Sequence, residues 1–500
     1  MCAAKALRIQ GTDNVLIAMA PLSAGDIVEH SSGTLQVMED IPRGHKIALT
    51  DISAGVHIMK YGYPIGHATV AIRKGQWVHT HNVKTNLSGK VEYQYEPLVP
   101  RPLELIPELP TYFDGYVREN GDVGIRNEIW ILNTVGCVNK AAEMLAKMAD
   151  MELRGGGIDG VYHFAHPYGC SQLGDDLQYT QKALAGLVRH PNAAGVLVLG
   201  LGCENNRIQE FRPFLKDVPE AKIRFLALQD VEDEFEEGMK LLRELADYAR
   251  SFKRERVPLS ELKIGLKCGG SDGFSGITAN PLVGAVSDLV VAQGGTTLLT
   301  EVPEMFGAET ILMHRAVDEG VFENVVSLID DFKDYYTRHQ QVIYENPSPG
   351  NKDGGITTLE EKSLGCTQKG GTSPVVDVVP YGMPATKPGL SLVQAPGNDM
   401  VSVTALTAAG AHLVLFTTGR GTPMGAAVPT VKISTNTSLF EKKRNWIDFN
   451  AGSLVEGDDI QTLAASLYNA VIDIASGRVQ TRNEKNGCRE IAIFKDGVTL

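Results

Sequence analysis

From Gly115 onward, short apolar runs alternate with glycine turns and with longer segments of helical periodicity. The clearest apolar runs lie at 127–132, 195–199, 262–266, 412–416 and 428–433. This alternation predicts a mostly parallel, doubly wound α/β region, because buried parallel strands read as apolar runs and are joined by helices. Helices are expected at 140–151, 232–253 and 308–319.

The first part of the chain has a different pattern. Residues 1–96 contain short apolar runs separated by glycine, which predicts a small β domain. Five prolines between Pro97 and Pro110 remove amide donors and fix φ, so this stretch is expected to be an extended linker. Because 500 residues exceed one hydrophobic core, we predict a β domain at 1–96, a linker at 97–113, a middle α/β domain at 114–255 and a C-terminal α/β domain at 256–500.

The charge balance narrows the class of protein. The 60 acidic residues outnumber the 47 lysines and arginines, for a net charge of -13, which argues against a nucleic-acid or membrane-surface protein. No run approaches the roughly 20 apolar residues that cross a bilayer, and no secretory run follows the N-terminus. The sequence therefore predicts a cytoplasmic protein whose seven cysteines stay reduced.

Five cysteines lie beside glycines, several of them directly after an apolar run. They are Cys137, Cys170, Cys203, Cys268 and Cys366. Loops at the carboxyl ends of parallel strands converge on one crevice, so these thiols are expected to hold iron as a single ion or as a cluster on three of them. The alternative is that cysteine is simply a small residue suited to tight turns. The Walker A sequence and the complete GxGxxG motif are absent, which leaves nucleotide binding without support.

Carboxylates and amides occur in the same loops, and they are candidates for binding a metal ion or sugar hydroxyls. They are Asp175, Asp176, Glu204, Asn205, Asn206, Asp272, Glu301 and Glu304, and Glu301 is preferred over Glu304 as a metal ligand. The pair formed by Asp175 and Asp176 is explained equally well as a helix N-terminus.

Several basic side chains are candidates for catalysis or for gripping a carboxylate. Arg420 lies between glycines and can bind a carboxylate in a bidentate manner, and Arg126 and Lys369 also lie in glycine-rich settings. Lys267 lies between apolar Leu266 and Cys268, and a desolvated lysine has a lowered pKa and can act as a base. The alternative for each is a surface charge.

Three histidines complete the candidate set. His79 and His81 alternate, so on a strand they would share one face and could bind a metal or substrate, although an exposed pair is commonly just solvated. His166 lies nearer the expected crevice of the sheet.

The same segments resemble the altronate/galactarate dehydratase family over essentially the full length. The matching motifs include Arg43-Gly-His-Lys, His79-Thr-His-Asn, Gly169-Cys-Ser-Gln-Leu-Gly-Asp-Asp, Gly200-Leu-Gly-Cys-Glu-Asn-Asn, Lys267-Cys-Gly-Gly-Ser-Asp-Gly, Leu364-Gly-Cys-Thr-Gln-Lys and Thr418-Gly-Arg-Gly-Thr-Pro. Within the family, segments 61–66 and 492–500 favour altronate as the substrate.

The resemblance implies an N-terminal β-clip domain of the SAF type, a dimerising middle domain and a Rossmann-like C-terminal domain with a metal site. It also implies a homodimer that depends on Fe(II) or Mn(II) and converts a sugar acid to 2-dehydro-3-deoxy-D-gluconate in hexuronate catabolism.

Removing water from a sugar acid requires a base, an acid and a group that stabilises the enolate. We expect Lys267 or His166 to take the α-proton, and a protonated His79 or His81 to assist the departing hydroxide. The expected metal ligands are drawn from Cys170, Cys203, Glu204, Glu301, Cys366 and Asp175. The expected substrate contacts are Arg420, Arg126, Lys369, Asn205 and Asn206.

Three alternatives remain open at this stage. An iron-sulfur cluster on Cys170, Cys203 and Cys366 would replace the single ion. Galactarate or another aldonate or aldarate would replace altronate. A sugar-acid-binding protein without activity would replace the enzyme.

Overall fold

The N-terminal part of the molecule is built from short antiparallel strands. The computed structural model describes residues 5–30, 33–99, 106 and 108–496. The strands of this part are β1 (Ala6–Leu7), β2 (Val15–Ala18), β3 (Ile27–His30), β4 (Gly33–Gln36), β5 (Lys46–Ala48), β6 (His57–Lys60), β7 (Tyr63–Ala68), β8 (Trp77–Val78) and β9 (Val83–Lys84). They form the sheets β1-β2-β5-β8, β3-β4 and β6-β7-β9. The predicted small β domain is therefore confirmed.

The middle part contains a parallel sheet of order β13-β12-β14-β15. Its strands are β12 (Glu128–Asn133), β13 (Gly160–Phe164), β14 (Ala193–Gly200) and β15 (Ile223–Ala227). Its helices are α1 (Asn139–Leu153), α2 (Gly174–Arg189), α3 (Ile208–Phe211) and α4 (Glu234–Ala249). A second, antiparallel sheet of β10 (Tyr112–Val117), β11 (Val123–Gly124) and β16 (Arg254–Pro258) lies beside it. Strand β16 occupies the point at which the middle and C-terminal units were predicted to meet.

The C-terminal part contains a seven-stranded parallel sheet of order β19-β20-β18-β17-β21-β22-β23. Its strands are β17 (Lys263–Cys268), β18 (Thr296–Leu299), β19 (Val375–Val379), β20 (Gly389–Val393), β21 (Leu413–Thr418), β22 (Thr430–Ser434) and β23 (Phe449–Asn450). Its helices are α5 (Ala279–Ala292), α6 (Glu309–Met313), α7 (Glu319–Arg338), α8 (Pro349–Asp353), α9 (Leu359–Cys366), α10 (Asp399–Ala408), α11 (Thr437–Lys442), α12 (Ile460–Ala475) and α13 (Arg482–Lys485). The predicted mostly parallel α/β region is confirmed.

The order of this sheet locates a crevice. After β17 the chain adds β18, the edge strand β19 and then β20 on one side of β17, and it then returns to place β21 on the other side. Ligands of open α/β sheets bind outside the carboxyl ends of the strands at such a switch point. The loops that follow β17 and β21 are therefore expected to form a ligand-binding site.

The single helix predicted at 308–319 is wrong. Helix α6 ends at Met313, and α7 begins at Glu319 with the Asp318 side chain accepting a hydrogen bond from Val321 N. Between the two helices, Ala316 forms a bridge with Val375, and this long-range pairing interrupts the helical pattern.

The three parts pack against one another. Lys46 and Lys60 of the β domain form buried ion pairs with Glu361 on α9. Helix α2 packs on α10 so closely that a Cβ at Gly186 would lie 2.7 Å from that of Ala408. Within the described residues, the structure contains no helix long and apolar enough to span a membrane.

Candidate active site

The carboxyl edge of the seven-stranded sheet brings together several predicted residues. Lys267 and Cys268 end β17, and Glu301 follows β18. Cys366 ends α9, and Lys369 follows it in a short 3-10 turn. All five side chains are buried and belong to one network.

Lys267 is surrounded by oxygen acceptors. Its Nζ pairs with Glu301, lies 2.8 Å from Asp399 Oδ1 and donates to the carbonyl of Cys268. Burial alone would lower the pKa of Lys267, but the carboxylates of Glu301 and Asp399 outweigh it and hold that pKa above its usual range. The expected lowered pKa is therefore wrong, and Lys267 is a fixed positive charge.

Two thiols and one carboxylate form a compact group beside Lys267. The sulfur atoms of Cys268 and Cys366 are 3.3 Å apart, and they lie 3.3 and 3.1 Å from Glu304 Oε2. The ligand atoms of these three residues all lie within 4.8 Å of one another. Within the described parts of the chain, no other group of three histidine, cysteine or acidic residues is as compact. Sulfur-rich donors favour iron or zinc, whereas manganese prefers oxygen.

Two further lysines stabilise this group. Lys369 Nζ donates to Cys268 Sγ at 2.8 Å, and Lys362 Nζ lies 2.7 Å from Glu304 Oε1. The hydrogen bond from Cys366, together with the charge of Lys369, lowers the pKa of Cys268 to about 6 although burial opposes it. The surroundings of Cys268 thus favour the negatively charged thiolate form of its side chain.

Glu301 has a strained backbone. Its φ of 70° and ψ of 60° place it in the left-handed region, which residues other than glycine seldom occupy. Its Oε2 accepts a hydrogen bond from Cys268 N at 3.2 Å. Strain of this kind persists where the surrounding structure fixes a functional side chain.

A cleft of about 490 Å³ opens onto this network. Cys268, Glu304, Lys362 and Asp399 are among the residues that line it. Asp399, at the start of α10, is the exposed partner of Lys267, since 41% of its side chain is accessible. Arg420 is not one of the lining residues, but its backbone N donates to the carbonyl of the lining residue Gly270 at 3.0 Å, and its Nη1 donates to Gly350 O at 3.1 Å.

Lys432 lies on the same face of the sheet as Lys267. Both residues are in lateral register with Phe416 on β21, and Lys432 Nζ lies 3.7 Å from the centroid of that ring. This Nζ is buried and has no hydrogen-bond partner within the described structure. Burial lowers the pKa of Lys432 to about 7, partly offset by the nearby charge of Asp399.

Six predicted residues belong instead to the carboxyl edge of the middle sheet. They are Cys170, Cys203, Glu204, Asn205, Asn206 and Asp175. Glu204 is buried and accepts hydrogen bonds from Thr134 Oγ1 and from the backbone N of Gly202, so its carboxylate stabilises the loop that contains it. Asp175 is an exposed residue in the first turn of α2.

His166 has a structural environment. Its Nε2 lies 2.8 Å from Asn133 O, and its Nδ1 lies 3.2 Å from Tyr168 N. Burial lowers the pKa of His166. Because both ring nitrogens are occupied, the structure does not present His166 as the base.

The two N-terminal histidines do not share a strand face, because β8 ends at Val78. His79 is buried, with Nδ1 2.9 Å from Thr357 Oγ1, whereas His81 is exposed. Burial, and then the charge of Lys46, lowers the pKa of His79 to about 3. His79 is therefore neutral near pH 7 and is not the protonated acid that was expected.

Arg126 forms structural hydrogen bonds away from the cleft. Its Nε and Nη2 donate to the carboxylate of Glu484, and its Nη1 donates to the carbonyls of Ile125 and Ile474. These bonds engage all three nitrogens of the guanidinium in a buried structural contact, so Arg126 does not face the cleft.

Sequence reasoning did not single out Asp399 or Lys362, and it named Glu304 only beside the preferred Glu301. A signal existed for Asp399, because Asn398 caps α10 after an apolar strand and places the next residue at the strand's carboxyl end. No local signal marked Lys362, because its role depends on the packing of α9 against the turn that holds Glu304.

Three sequence models of known families match the chain in succession. They are the altronate/galactarate dehydratase SAF domain at residues 4–86, the second domain of D-galactarate dehydratase/altronate hydrolase at 115–250, and the C-terminal domain of D-galactarate/altronate dehydratase at 259–499.

Full-length relatives were also found. The altronate dehydratases of Bacillus subtilis (strain 168) and Escherichia coli (strain K12) are 54% and 52% identical to the chain, and each alignment covers 99% of both sequences. The galactarate dehydratase (L-threo-forming) of Escherichia coli (strain K12) is 34% identical, over 98% of this chain and 96% of the relative.

Proposed function

The chain belongs to the altronate/galactarate dehydratase family, and from this premise we propose that it is a hydro-lyase that converts D-altronate to 2-dehydro-3-deoxy-D-gluconate. The observation that carries the choice of substrate is the identity of 54% and 52% to two altronate dehydratases over 99% of the chain, against 34% to a galactarate dehydratase. Segment 61–66, which favoured altronate, lies in the described β domain. Residues 497–500 of the second segment lie outside the described residues.

The reaction removes the proton beside the carboxylate and then expels the neighbouring hydroxyl. Its difficult intermediate is an enolate that carries two negative charges, which fixed positive charges stabilise most effectively in a dry site. Lys267, Lys362 and Lys369 are three such charges, each fixed by buried partners. To Arg420, whose backbone N is bonded to the lining residue Gly270, we assign the contact with the substrate carboxylate.

Cys268, Glu304 and Cys366 would hold a metal ion. Two thiols and a carboxylate within 4.8 Å of one another suit Fe(II) better than Mn(II). When bound, the ion would act as a Lewis acid that polarises a substrate oxygen. Glu301 and Lys369 would hold the Cys268 sulfur in place through its backbone N and its Sγ.

Lys432 is the base that this environment favours. Lys267, Lys362 and Lys369 all have raised pKa values because carboxylates or thiols neutralise them, whereas that of Lys432 is lowered to about 7. A base with a pKa near the working pH is the most effective one. Asp399 lines the cleft within electrostatic range of Lys432, and we assign to it the relay of the α-proton toward that lysine.

The test is turnover of altronate, mannonate, galactonate and galactarate by the full chain loaded anaerobically with Fe(II). Altronate should give the highest kcat/KM. Asp399→Asn should reduce kcat on altronate by about 100-fold or more, and Asp377→Asn, in a surface ion pair of the same domain, should not. Preferred turnover of galactarate would overturn the substrate assignment, and full activity of Asp399→Asn would remove Asp399 from the mechanism.

We also propose that the protein is a cytoplasmic homodimer that associates through the middle domain. Met144, Met148 and Met151 are exposed at spacings of four and three residues, so they form an apolar stripe on one face of α1. Exposed apolar stripes of this kind are typical of protein-protein contacts. The free cysteines support a reducing compartment.

A further inference from the structure

Three thiols at the carboxyl edge of the middle sheet have no part in the site described above. Cys137 follows β12, Cys170 follows β13 and Cys203 follows β14. Strand β12 lies between β13 and β14, and the three strands are parallel. The three cysteine loops therefore leave adjacent strands at the same edge of one sheet.

Backbone hydrogen bonds hold these loops together. Gly136 N donates to Tyr168 O at 2.8 Å, and Asn206 N donates to Gly169 O at 3.2 Å. Asn205 Oδ1 accepts from Ser171 N at 2.8 Å. Each loop is thus tied to a neighbour within a few residues of its cysteine.

The glycines before the cysteines make this approach feasible. A Cβ at Gly169 would lie 2.0 Å from Thr134 O, and a Cβ at Gly136 would lie 2.8 Å from His166 O. Gly169 also has a φ of +101°. Because only glycine fits such close backbone contacts, the glycines of the Gly-Cys pairs are explained by the contact between the loops. That contact does not explain why cysteine follows each glycine.

The exposure of the thiols argues against a packing role. Unligated cysteine is among the most buried residue types, yet Cys137, Cys170 and Cys203 are all exposed, whereas Cys268 and Cys366 are buried. Two of the exposed sulfurs make long polar contacts, Cys170 Sγ with Ser171 Oγ and Cys203 Sγ with Gln229 Nε2, each at 3.8 Å. The three thiols thus face solvent on an ordered edge.

We propose that Cys137, Cys170 and Cys203 together bind an iron-sulfur cluster. Sulfur ligands of a single ion, with metal-sulfur bonds of about 2.3 Å, must lie within about 4.6 Å of one another. Among the described residues, the three exposed thiols do not form a group within 4.8 Å, whereas Cys268, Glu304 and Cys366 do. A cluster spans wider thiol spacings, and thiolates are its usual ligands. Each thiol gives up its proton to solvent on binding.

This assignment revises the cluster alternative drawn from the sequence, which included Cys366. Cys366 lies beside Cys268 in the other sheet's site, and Cys137 takes its place. The Gln229 amide near Cys203 is placed to donate to a cluster sulfur, a contact that tunes such centres. With three protein thiolates, one iron stays open to an oxygen ligand such as a carboxylate or hydroxyl.

The full chain is purified anaerobically, incubated with ferric iron, sulfide and a thiol reductant that reduces part of the iron, and desalted. Iron, acid-labile sulfide and visible absorption are then measured. We expect equal amounts of iron and sulfide in the cluster, and at least a fivefold loss of sulfide in Cys137→Ser, Cys170→Ser and Cys203→Ser. Cys488→Ser, a partly exposed cysteine outside the trio, should retain it. Circular dichroism and gel filtration verify the fold of each variant.

The proposal is overturned if the protein binds iron or zinc without sulfide, or if the triple variant Cys137→Ser, Cys170→Ser, Cys203→Ser keeps its sulfide. Turnover of the four sugar acids is measured on the same samples. Dehydration of altronate without sulfide would reject the cluster and leave the proposed function standing, whereas a cluster without dehydration would do the reverse.

Discussion

Replacing Glu361 by glutamine should loosen the contact between the β domain and helix α9. Lys46 Nζ and Lys60 Nζ lie 2.8 and 2.7 Å from the two oxygens of Glu361, and all three side chains are at most 1% exposed. Glu361 directly precedes Lys362 on α9, the helix that ends at Cys366. Glu361→Gln leaves two buried ammonium groups without a counter-charge.

The size of the effect follows from two independent arguments. Burial opposes ionisation, but Lys46 and Lys60 lower the pKa of Glu361 from 4.5 to about 2. At about 1.4 kcal/mol per pKa unit, this difference corresponds to about 3 kcal/mol. Removing one partner of a buried ion pair typically costs about 3–5 kcal/mol. We therefore expect the local opening free energy to fall by about 3 kcal/mol.

Lys46 offers a matched control. Burial outweighs the attraction of Glu361 and lowers the pKa of Lys46 from 10.5 to about 8. The charged form of Lys46 is thus a cost to the fold near pH 7. Lys46→Met leaves one lysine with one glutamate, and we expect stability within about 1 kcal/mol of the wild type, since removing an excess buried charge is often neutral or favourable.

Hydrogen exchange at the amides of β5 and α9 measures these effects directly. A loss of about 3 kcal/mol should speed exchange on the order of 100-fold in Glu361→Gln and little in Lys46→Met. Exchange at α4, in the middle domain, should stay unchanged in both. Equal effects of the two substitutions, or none in Glu361→Gln, would refute the argument.

The dependence on pH gives a second signature. A depressed carboxyl pKa stabilises the fold above pH 4.5, and this contribution disappears as the pH falls toward 2. A depressed lysine pKa has the opposite sense, so stability should rise between pH 8 and 10.5 as Lys46 loses its proton. The first change should vanish in Glu361→Gln and the second in Lys46→Met.

Three further predictions concern the site and the assembly. Lys432→Met should lower kcat by about 10²–10⁴ and abolish the rise of kcat as the pH passes through about 7, whereas Lys442→Met on exposed α11 should keep the wild-type profile. Cys366→Ser should weaken Fe(II) binding, measured by equilibrium dialysis, by more than the roughly 10–100-fold that outer-shell changes cost, and unchanged affinity would remove Cys366 from the metal group. Met148→Glu should shift the mass measured by light scattering from dimer to monomer, whereas Met383→Glu, an exposed methionine of the C-terminal domain, should not.

The sequence predicted the type of fold because its main signal is local. The run at 127–132 became β12 with a shift of one residue, since buried parallel strands need continuous apolar residues. The helix expected at 308–319 failed for a non-local reason. Residues 314–318 can continue a helix, but the pairing of Ala316 with Val375 competes with that local preference.

The sequence singled out the cysteine loops but missed how they are divided between two sheets. Which cysteines meet depends on which strands are neighbours, and the order of strands is a property of the whole topology. The five thiols therefore separated into a buried pair in one sheet and an exposed trio in another. The lowered pKa predicted for Lys267 failed similarly. Its apolar neighbours indicate desolvation, whereas Glu301 and Asp399, 34 and 132 residues away, supply the charges that reverse the effect.

The charge arrangement of the cleft explains why an anionic substrate suits an acidic protein. In this network, Lys267 pairs with Glu301 and Asp399, Lys362 pairs with Glu304, and Lys369 donates to the Cys268 sulfur. Only groups that the fold already holds in place can stabilise a new charge without reorganising. As negative charge develops on the substrate next to these lysines, their existing partners keep them protonated and in position. The strained backbone of Glu301 is then the cost of fixing a carboxylate where it orients both Lys267 and Cys268.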